Sequence, residues 1–287
     1  MSSESPAAGN APANAPSRIE ILLVGMNGDL RGKQIPLEAE KKVWDGTVRL
    51  PSSTQSLDIW GDDNDDITGL SLSVGDPDGE CVPDRRSLAA LPWAPPGSKQ
   101  VLATMHELDG TPSFMCPRAI LANLLKRFDE RGLTPVVATE LEFYVVQDDW
   151  RVTGRPRPPE RLMYRDQPNG FQLYDMSAVD ALAAADDCIY LKRVAEQAAR
   201  RHGLKSTCMA KPYADQAGSG LHVHASILDR DGRNVLDAKG GDPKKLKSIC
   251  AGMLKTMRDA QLIFAPFANS YRRFQPGSFA PVDIDWG

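Results

Sequence analysis

The chain has 287 residues, of which 41% are hydrophobic and 25% are charged, and this composition is typical of a globular protein with one large domain or two modest ones. A net charge of −4 without a basic block argues against nucleic acid as a partner, and no apolar run reaches the ~20 residues of a membrane span. The 5 cysteines form no CxxC pair, which argues against a disulfide framework and favours a reducing, cytoplasmic location.

The first third of the chain is predicted to be β-rich. Residues 1–17 are rich in Ala, Pro and Ser, and we expect them to form a disordered tail. Residues 19–36 contain an apolar run followed by an Asn-Gly turn, which predicts a hairpin. The short runs 56–60 and 70–74 indicate further strands, separated by Asp and Gly clusters.

A proline-rich stretch at residues 92–96 predicts a boundary, so we expect one domain over 18–97 and a second, partial domain over 98–287. The acidic run 62–66 is interpreted as a solvated loop in preference to a cation site. In the second domain, apolar spacing predicts a helix over 117–131, a strand over 134–146, a helix over 180–201, a strand over 219–228 and a helix over 243–262.

Two glutamates, Glu140 and Glu142, stand two residues apart in the strand predicted over 134–146. In a strand both side chains leave the same face, about 7 Å apart, and the two carboxylates repel unless a positive group lies between them. Mg²⁺ or Mn²⁺ satisfies this need with oxygen ligands. When this strand is considered by itself, the alternative remains open that both glutamates lie on the solvent-exposed face of a half-buried sheet.

The segment GSGLHVHAS, residues 218–226, places His222, His224 and Ser226 on one face of a strand behind a glycine turn. The glycines allow backbone amides to approach a ligand closely, although the segment is not a Walker loop. Together with the glutamate pair it indicates mixed carboxylate and imidazole ligation near a nucleotide. Solvent-exposed histidines are the simpler alternative, and a metallohydrolase is a weaker one.

A third segment, residues 269–274, carries Arg273 shortly before the Pro276–Gly277 turn. An arginine at this place can bind a carboxylate or a phosphate in bidentate fashion. On local grounds alone, a surface arginine beside a loop is the simpler interpretation.

Three motifs occur in order: ATELEFYVV, MAKPYADQAGSGLHVHASILD and APFANSYRRFQPGSFAPVDIDWG. Together with GDLRGKQIP and DGTPSFMCPRAIL nearer the N-terminus, they make residues 18–287 similar to the glutamine synthetase superfamily. The similarity is greatest to its γ-glutamylpolyamine synthetase (glutamate–putrescine ligase) branch. The resemblance implies an α+β fold, with a β-grasp-like N-terminal domain and a catalytic α/β domain built on a curved antiparallel sheet, and a homo-oligomeric ring.

The same resemblance implies an ATP-dependent ligase that joins glutamate to a small amine, putrescine or a monoamine, through a γ-glutamyl phosphate. A catalytic role is implied for Arg273. Metal-binding roles (Mg²⁺ or Mn²⁺) are implied for Glu140, Glu142 and His222, ATP-binding roles for His224 and Ser226, and glutamate-binding roles for Gly218 and Arg273.

The chain departs from the pattern at both acidic positions that handle ammonium in glutamine synthetases proper. The best matches there are Leu50 and Phe279. This loss argues against free ammonia as the nucleophile, so a glutamine synthetase proper is the weaker alternative.

Two further departures concern missing material. A segment with two metal-binding glutamates is absent near residues 177–180, and the sequence stops at Trp286–Gly287, before further arginines and a late glutamate ligand of the family. We expect either a piece of a longer chain or a degenerate, non-catalytic protein that retains nucleotide binding or assembly. Because metal affinity depends on the full ligand set, we expect the isolated chain to bind metal poorly.

Overall fold

The computed structural model describes residues 15–58, 60–63, 72–159, 179–237 and 239–276. The described part of the chain divides into two compact units, one that ends at Arg131 (the N-terminal unit) and one that begins at Gly132 (the C-terminal unit). The division therefore lies after Arg131, and the boundary expected after residue 97 falls inside the N-terminal unit. The reason is that the strand following residue 97 pairs within the N-terminal sheet.

Besides short 3-10 helices, the described residues of the N-terminal unit form β1 (Arg18–Val24), β2 (Leu30–Pro36), α1 (Lys41–Trp44), β3 (Arg49–Pro51), β4 (Asp78–Pro83), β5 (Ala89–Ala90), β6 (Lys99–His106) and α2 (Pro117–Asp129). Five strands pair in the order β2-β1-β6-β4-β3, and β5 pairs with β6. The β1–β6 pair is parallel and the others are antiparallel. The β-grasp-like assignment of this unit stays a prediction.

The hairpin predicted over 19–36 is confirmed, with Val24 opposite Leu30 across the turn. The apolar run of β1 is buried from Ile19 to Val24 and contributes three residues to the main hydrophobic core. Burial in this core raises the pKa of the Cys81 thiol to about 12, so the thiol stays protonated at neutral pH.

The strands predicted over 56–60 and 70–74 are wrong at the residues that the structure describes. The Asp58 carboxylate accepts hydrogen bonds from the backbone N–H groups of Trp60 and Asp62, at 2.8 and 3.0 Å. Such a local turn competes with strand pairing for the same N–H groups. Leu72–Val74 forms a 3-10 helix. Residues 64–71, which include most of the acidic run, lie outside the described residues.

Of the predicted tail, residues 1–14 also lie outside the described residues. At its described end, the Ser17 hydroxyl donates a hydrogen bond of 2.6 Å to the Pro96 carbonyl oxygen. The N–H of the next residue, Arg18, bonds the Ser98 hydroxyl at 3.2 Å. The chain is therefore tied to the proline-rich stretch before β1 begins.

The C-terminal unit contains β7 (Thr134–Leu141), β8 (Tyr144–Gln147), α3 (Trp150–Thr153), β9 (Val179–Asp180), α4 (Ala181–Arg200), β10 (Leu204–Thr207), β11 (Leu221–Leu228), α5 (Pro243–Met257), α6 (Gln261–Phe264) and a 3-10 helix (Ser270–Arg273). Its strands form two antiparallel sheets, β11-β7-β9 and β10-β8. The combination of helices with antiparallel sheets confirms the α+β class.

The predicted helices are confirmed with shorter ends. Asp180 begins α4 because its carboxylate accepts hydrogen bonds from the N–H groups of Leu182 and Ala183. The helix predicted over 243–262 ends at Met257, and α6 follows after a turn. Among the described residues, no helix combines the length and apolar character that a membrane crossing requires.

Candidate active site

The candidate site lies on the β7–β11 pair. The two strands are antiparallel over eight residue pairs, with His222 opposite Glu140 and Leu221 opposite Leu141. The strand predicted over 134–146 is interrupted, since β7 ends at Leu141 and β8 begins at Tyr144. Glu140 therefore stands in the strand, whereas Glu142 lies just beyond its end, opposite the glycine turn.

Glu140 binds both histidines. Its Oε2 lies 3.2 Å from His222 Nδ1 and its Oε1 lies 2.9 Å from His224 Nε2. The Glu140 side chain is 19% exposed, and the histidine side chains are 63% and 52% exposed. Each oxygen of the carboxylate thus has its own imidazole partner on an accessible face of the sheet. We call these three residues the Glu–His cluster.

Glu142 is held by the backbone of the glycine turn instead. The Gly220 N–H donates a hydrogen bond of 2.7 Å to Glu142 Oε2, and the Glu142 N–H donates one of 3.0 Å to the Gly220 carbonyl oxygen. A charged acceptor makes the first of these bonds strong. The backbone pairing extends the β7–β11 ladder by one step and fixes the carboxylate over the turn.

Arg273 packs on the same glycine turn. Its Nη1 donates a hydrogen bond of 2.9 Å to the Ser219 carbonyl oxygen. A Cβ atom built on Gly218 would lie 2.7 Å from Arg273 Nε and 2.6 Å from the Ala210 carbonyl oxygen. A Cβ built on Gly220 would lie 3.0 Å from Arg273 Nη1 and 3.6 Å from Glu142 Oε2. A side chain at Gly218 would therefore clash with a backbone carbonyl oxygen as well as with the guanidinium group, whereas one at Gly220 would require Arg273 to shift.

The expected site residues other than Ser226 therefore fall into two neighbouring groups. One is the Glu–His cluster, and the other consists of Glu142, Gly218 and Arg273, with Gly220 added by the structure. Ser226, expected to bind ATP, lies two residues beyond His224 in β11, where its Oγ accepts a hydrogen bond of 3.3 Å from Asn234 Nδ2. Gly277 and Phe279 lie outside the described residues.

The described residues of the site do not supply a complete set of metal ligands. Among the described residues, no group of three or more His, Cys, Asp or Glu side chains is arranged to hold a metal ion. Glu140 and His222 contact each other, and Glu142 is bound to a backbone N–H. The residues present do not fit a divalent cation without further ligands, so metal binding at Glu140, Glu142 and His222 stays a prediction.

Three residues near the glycine turn were not proposed as site residues from the sequence. The Tyr144 hydroxyl donates a hydrogen bond of 2.7 Å to the Ala217 carbonyl oxygen. Burial, and to a smaller extent the Glu142 charge, raises the pKa of Tyr144 above its usual value, so the hydroxyl stays a donor at neutral pH. The other two, Lys211 and Asn269, bond each other through the Lys211 backbone. Nothing in their local sequence signals this long-range contact.

Comparison with known proteins shows which family the chain matches. The profile of the family described as "Glutamine synthetase, catalytic domain" matches residues 114–182 and 174–287. The two matched segments overlap over residues 174–182, where a family segment is expected to be missing. This split supports an internal gap in the family pattern close to the start of α4.

Two curated relatives are similar over most of the chain. The γ-glutamylputrescine synthetase PuuA of Escherichia coli is 35% identical, with 94% of this chain and 66% of the relative covered. The γ-glutamylethanolamide synthetase GlnA4 of Streptomyces coelicolor is 34% identical, with 71% of this chain and 52% of the relative covered. The chain thus spans between about half and two thirds of the length of these relatives.

The alignment lengths also indicate positions of the relatives that have no counterpart in this chain. The PuuA alignment runs over 311 residues, whereas 94% of this chain is about 270 residues, so about 40 aligned positions have no residue of this chain. Among solved structures, one described as a novel glutamine synthase homolog has a TM-score of 0.74 at 19% identity, with 94% of this chain and 69% of that chain covered. At this identity the match confirms the glutamine synthetase-type fold.

Proposed function

Because the chain belongs to the glutamine synthetase catalytic-domain family, we propose that it serves in the ATP-dependent ligation of glutamate to a small amine. The observation that carries the proposal is the β7–β11 pairing. Together with the packing of Arg273 on the glycine turn, it gathers all but one of the expected residues into two adjacent groups, one of carboxylate and imidazoles and one around an arginine and two glycines.

The proposed reaction has two steps. A side-chain carboxylate oxygen of glutamate attacks the γ-phosphorus of ATP, and the bond to the bridging oxygen breaks to release ADP. The unprotonated amine nitrogen then attacks the acyl carbon, the phosphate leaves, and the amine proton passes to a base. The chemistry needs positioning and charge stabilisation more than covalent help from the protein.

Within this scheme the group around Gly220 is assigned to glutamate. Arg273 brings a positive charge against a turn that has no side chains, which suits the approach of a small carboxylate. The Gly218 backbone would face the glutamate amino group, and Glu142 would be a ligand of a metal on the glutamate side, if one is bound with further ligands. The Glu–His cluster and Ser226 are assigned to the nucleotide side, where Mg²⁺ or Mn²⁺, if bound with further ligands, would neutralise phosphate charge. A cytoplasmic homo-oligomeric ring belongs to the same proposal.

The proposed amine is larger than ammonia. Leu50, which replaces one acid expected to handle ammonium, is a buried member of the hydrophobic core in the N-terminal unit. A buried leucine can neither bind ammonium nor accept its proton. The names of the two relatives, with putrescine and ethanolamine as their amines, support a diamine or a small monoamine as the substrate class.

The test is a panel assay on the purified protein with glutamate, ATP and Mg²⁺ or Mn²⁺. Putrescine, ethanolamine and ammonium are compared by phosphate release and by mass spectrometry of the γ-glutamyl product. We expect release with an organic amine at least tenfold above that with ammonium. Phosphate release with none of the three amines would contradict the proposal.

One observation favours a second candidate, a non-catalytic family member that binds nucleotide or assembles. In the part of the chain that the structure describes, no complete metal-binding group is present. For this candidate we expect ATP binding by calorimetry without turnover in any arm of the panel. Turnover with any amine would remove it.

A further inference from the structure

Asn269 makes a two-way contact with a residue 58 positions away in the chain. Its Oδ1 accepts a hydrogen bond of 2.7 Å from the Lys211 N–H, and its Nδ2 donates one of 3.0 Å to the Lys211 carbonyl oxygen. A side-chain amide that pairs with both backbone groups of one residue fixes the position of that residue in the way that a neighbouring strand would. Asn269 therefore anchors the start of loop 211–220, which leads into β11.

Lys211 fixes the same loop from inside. Lys211 is only 7% exposed, and its ammonium group donates a hydrogen bond of 2.5 Å to the Gln216 carbonyl oxygen. No carboxylate lies within ion-pair distance of it among the described residues. A buried ammonium group without a counter-charge lowers the stability of the fold. The contribution of Lys211 is therefore to hold the loop through the Gln216 carbonyl oxygen.

The end of the loop is attached to the same short helix. Asn269 directly precedes the 3-10 helix Ser270–Arg273, and Arg273 at its last position donates to the Ser219 carbonyl oxygen at 2.9 Å. Ser219 in turn donates its N–H to the Ala210 carbonyl oxygen at 2.9 Å. One turn of helix thus binds the loop at its start and at its end.

We propose that Asn269 and Lys211 are positioning residues of the candidate active site. They set loop 211–220 so that the Gly220 N–H meets the Glu142 carboxylate and Gly218 borders Arg273. The inference rests on the proposed function for its kinetic consequence, because these contacts belong to the glutamate side. The nucleotide side depends on them less, since His224 and Ser226 are held by the β7–β11 ladder.

The test compares three variants with the wild-type protein. Asn269→Leu keeps the side-chain shape and removes both hydrogen bonds. Lys211→Met keeps the apolar stem and removes the charge, and because it relieves a buried ammonium it is expected to fold. The matched control is Asn123→Leu, at an exposed position of α2 in the other unit.

The first readout is hydrogen–deuterium exchange of peptides covering 211–220. Loss of the hydrogen bonds is expected to speed exchange of these amides about tenfold in both site variants, while peptides of β1 and the control variant remain unchanged. Loop exchange in both site variants equal to that of the control would overturn the proposal. This readout does not require enzyme activity, so it stands even where the wild-type protein fails the amine panel.

The second readout separates positioning from general destabilisation. We expect the KM for glutamate to rise about tenfold in both site variants, with the KM for ATP changed less than about twofold. An equal rise in both KM values, or a fall in kcat alone, would contradict positioning of the glutamate side. Absence of activity in the wild-type protein would instead count against the proposed function.

Discussion

The strands β1 and β11 are nearly equal in length and are stabilised in different ways. In β1 of the N-terminal unit, six consecutive residues are buried and three of them join the main core. In β11 of the C-terminal unit, the first five residues are exposed, including Leu221 at 50% and Val223 at 59%. The first strand is held by apolar packing, and the second, which carries the candidate site, is held by its ladder and by polar contacts.

This contrast shows where precision in the site comes from. Apolar burial is strong and non-directional, whereas hydrogen bonds are weaker and fix distances and angles. The carboxylates of Glu140 and Glu142 are each aimed by hydrogen bonds of 2.7–3.2 Å. Substitutions in the N-terminal core should therefore change stability, and substitutions in the site should change geometry.

The largest effect is expected for Ile21→Ala in the N-terminal core. Ile21 is 1% exposed, so the change creates a cavity among the other core residues. We expect a loss of about 3 kcal/mol in the free energy of unfolding, measured by urea denaturation. A loss below about 1 kcal/mol would mean that the unit is not organised around this core.

A smaller loss is expected for Asp84→Asn, which tests a charged contact in the same unit. Hydrogen bonds from Arg86, with Arg118 as a further donor, hold the pKa of Asp84 well below its usual value. The Arg118 side chain is 6% exposed, so the variant leaves a nearly buried charge without its carboxylate. We expect a loss of about 2 kcal/mol at pH 7.

The stability lost in Asp84→Asn should depend on pH in a defined direction. Because the pKa of Asp84 is lowered by folding, its contribution is complete above the unfolded value near 4 and is lost as the pH falls below it. The stability difference between the wild type and Asp84→Asn should therefore shrink on acidification. The control is Asp231→Asn, since Asp231 is 67% exposed in its pair with Arg233 and should show a difference below about 0.5 kcal/mol at any pH.

The smallest effect is expected for Val223→Thr in β11. The side chain is 59% exposed, and threonine keeps the β-branched shape that suits a strand. We expect a change within about 0.5 kcal/mol by the same urea measurement, because little apolar contact is lost. A loss comparable to that of Ile21→Ala would show that this face of β11 is covered in solution and would remove the contrast between the two strands.

Local patterns predicted much of the fold. The hairpin β1–β2 followed from an apolar run and an Asn-Gly turn, and α2, α4 and β11 followed from helical or alternating spacing. The wrong predictions fall where a side-chain hydrogen bond or an interruption of a strand overrides the pattern of apolar residues. Asp58 forms a turn inside an apolar run, and the strand predicted over 134–146 is interrupted after Leu141.

In the candidate site, too, some features follow from the sequence and others depend on the fold. Spacing and a family resemblance are enough to predict which residue types meet in the site, among them Glu140, His222 and His224. The pairing of these residues depends on the fold, which places both histidines on one carboxylate and packs Arg273 against Gly218 and Gly220.

The contact between Asn269 and Lys211 belongs wholly to the tertiary structure. Neither residue stands in a periodic pattern, and 58 positions separate them. Periodicity reports which face of an element a residue occupies, because it arises from the repeat of the backbone itself. It does not report which distant segment the chain brings against that face, and the folding of the whole unit decides this.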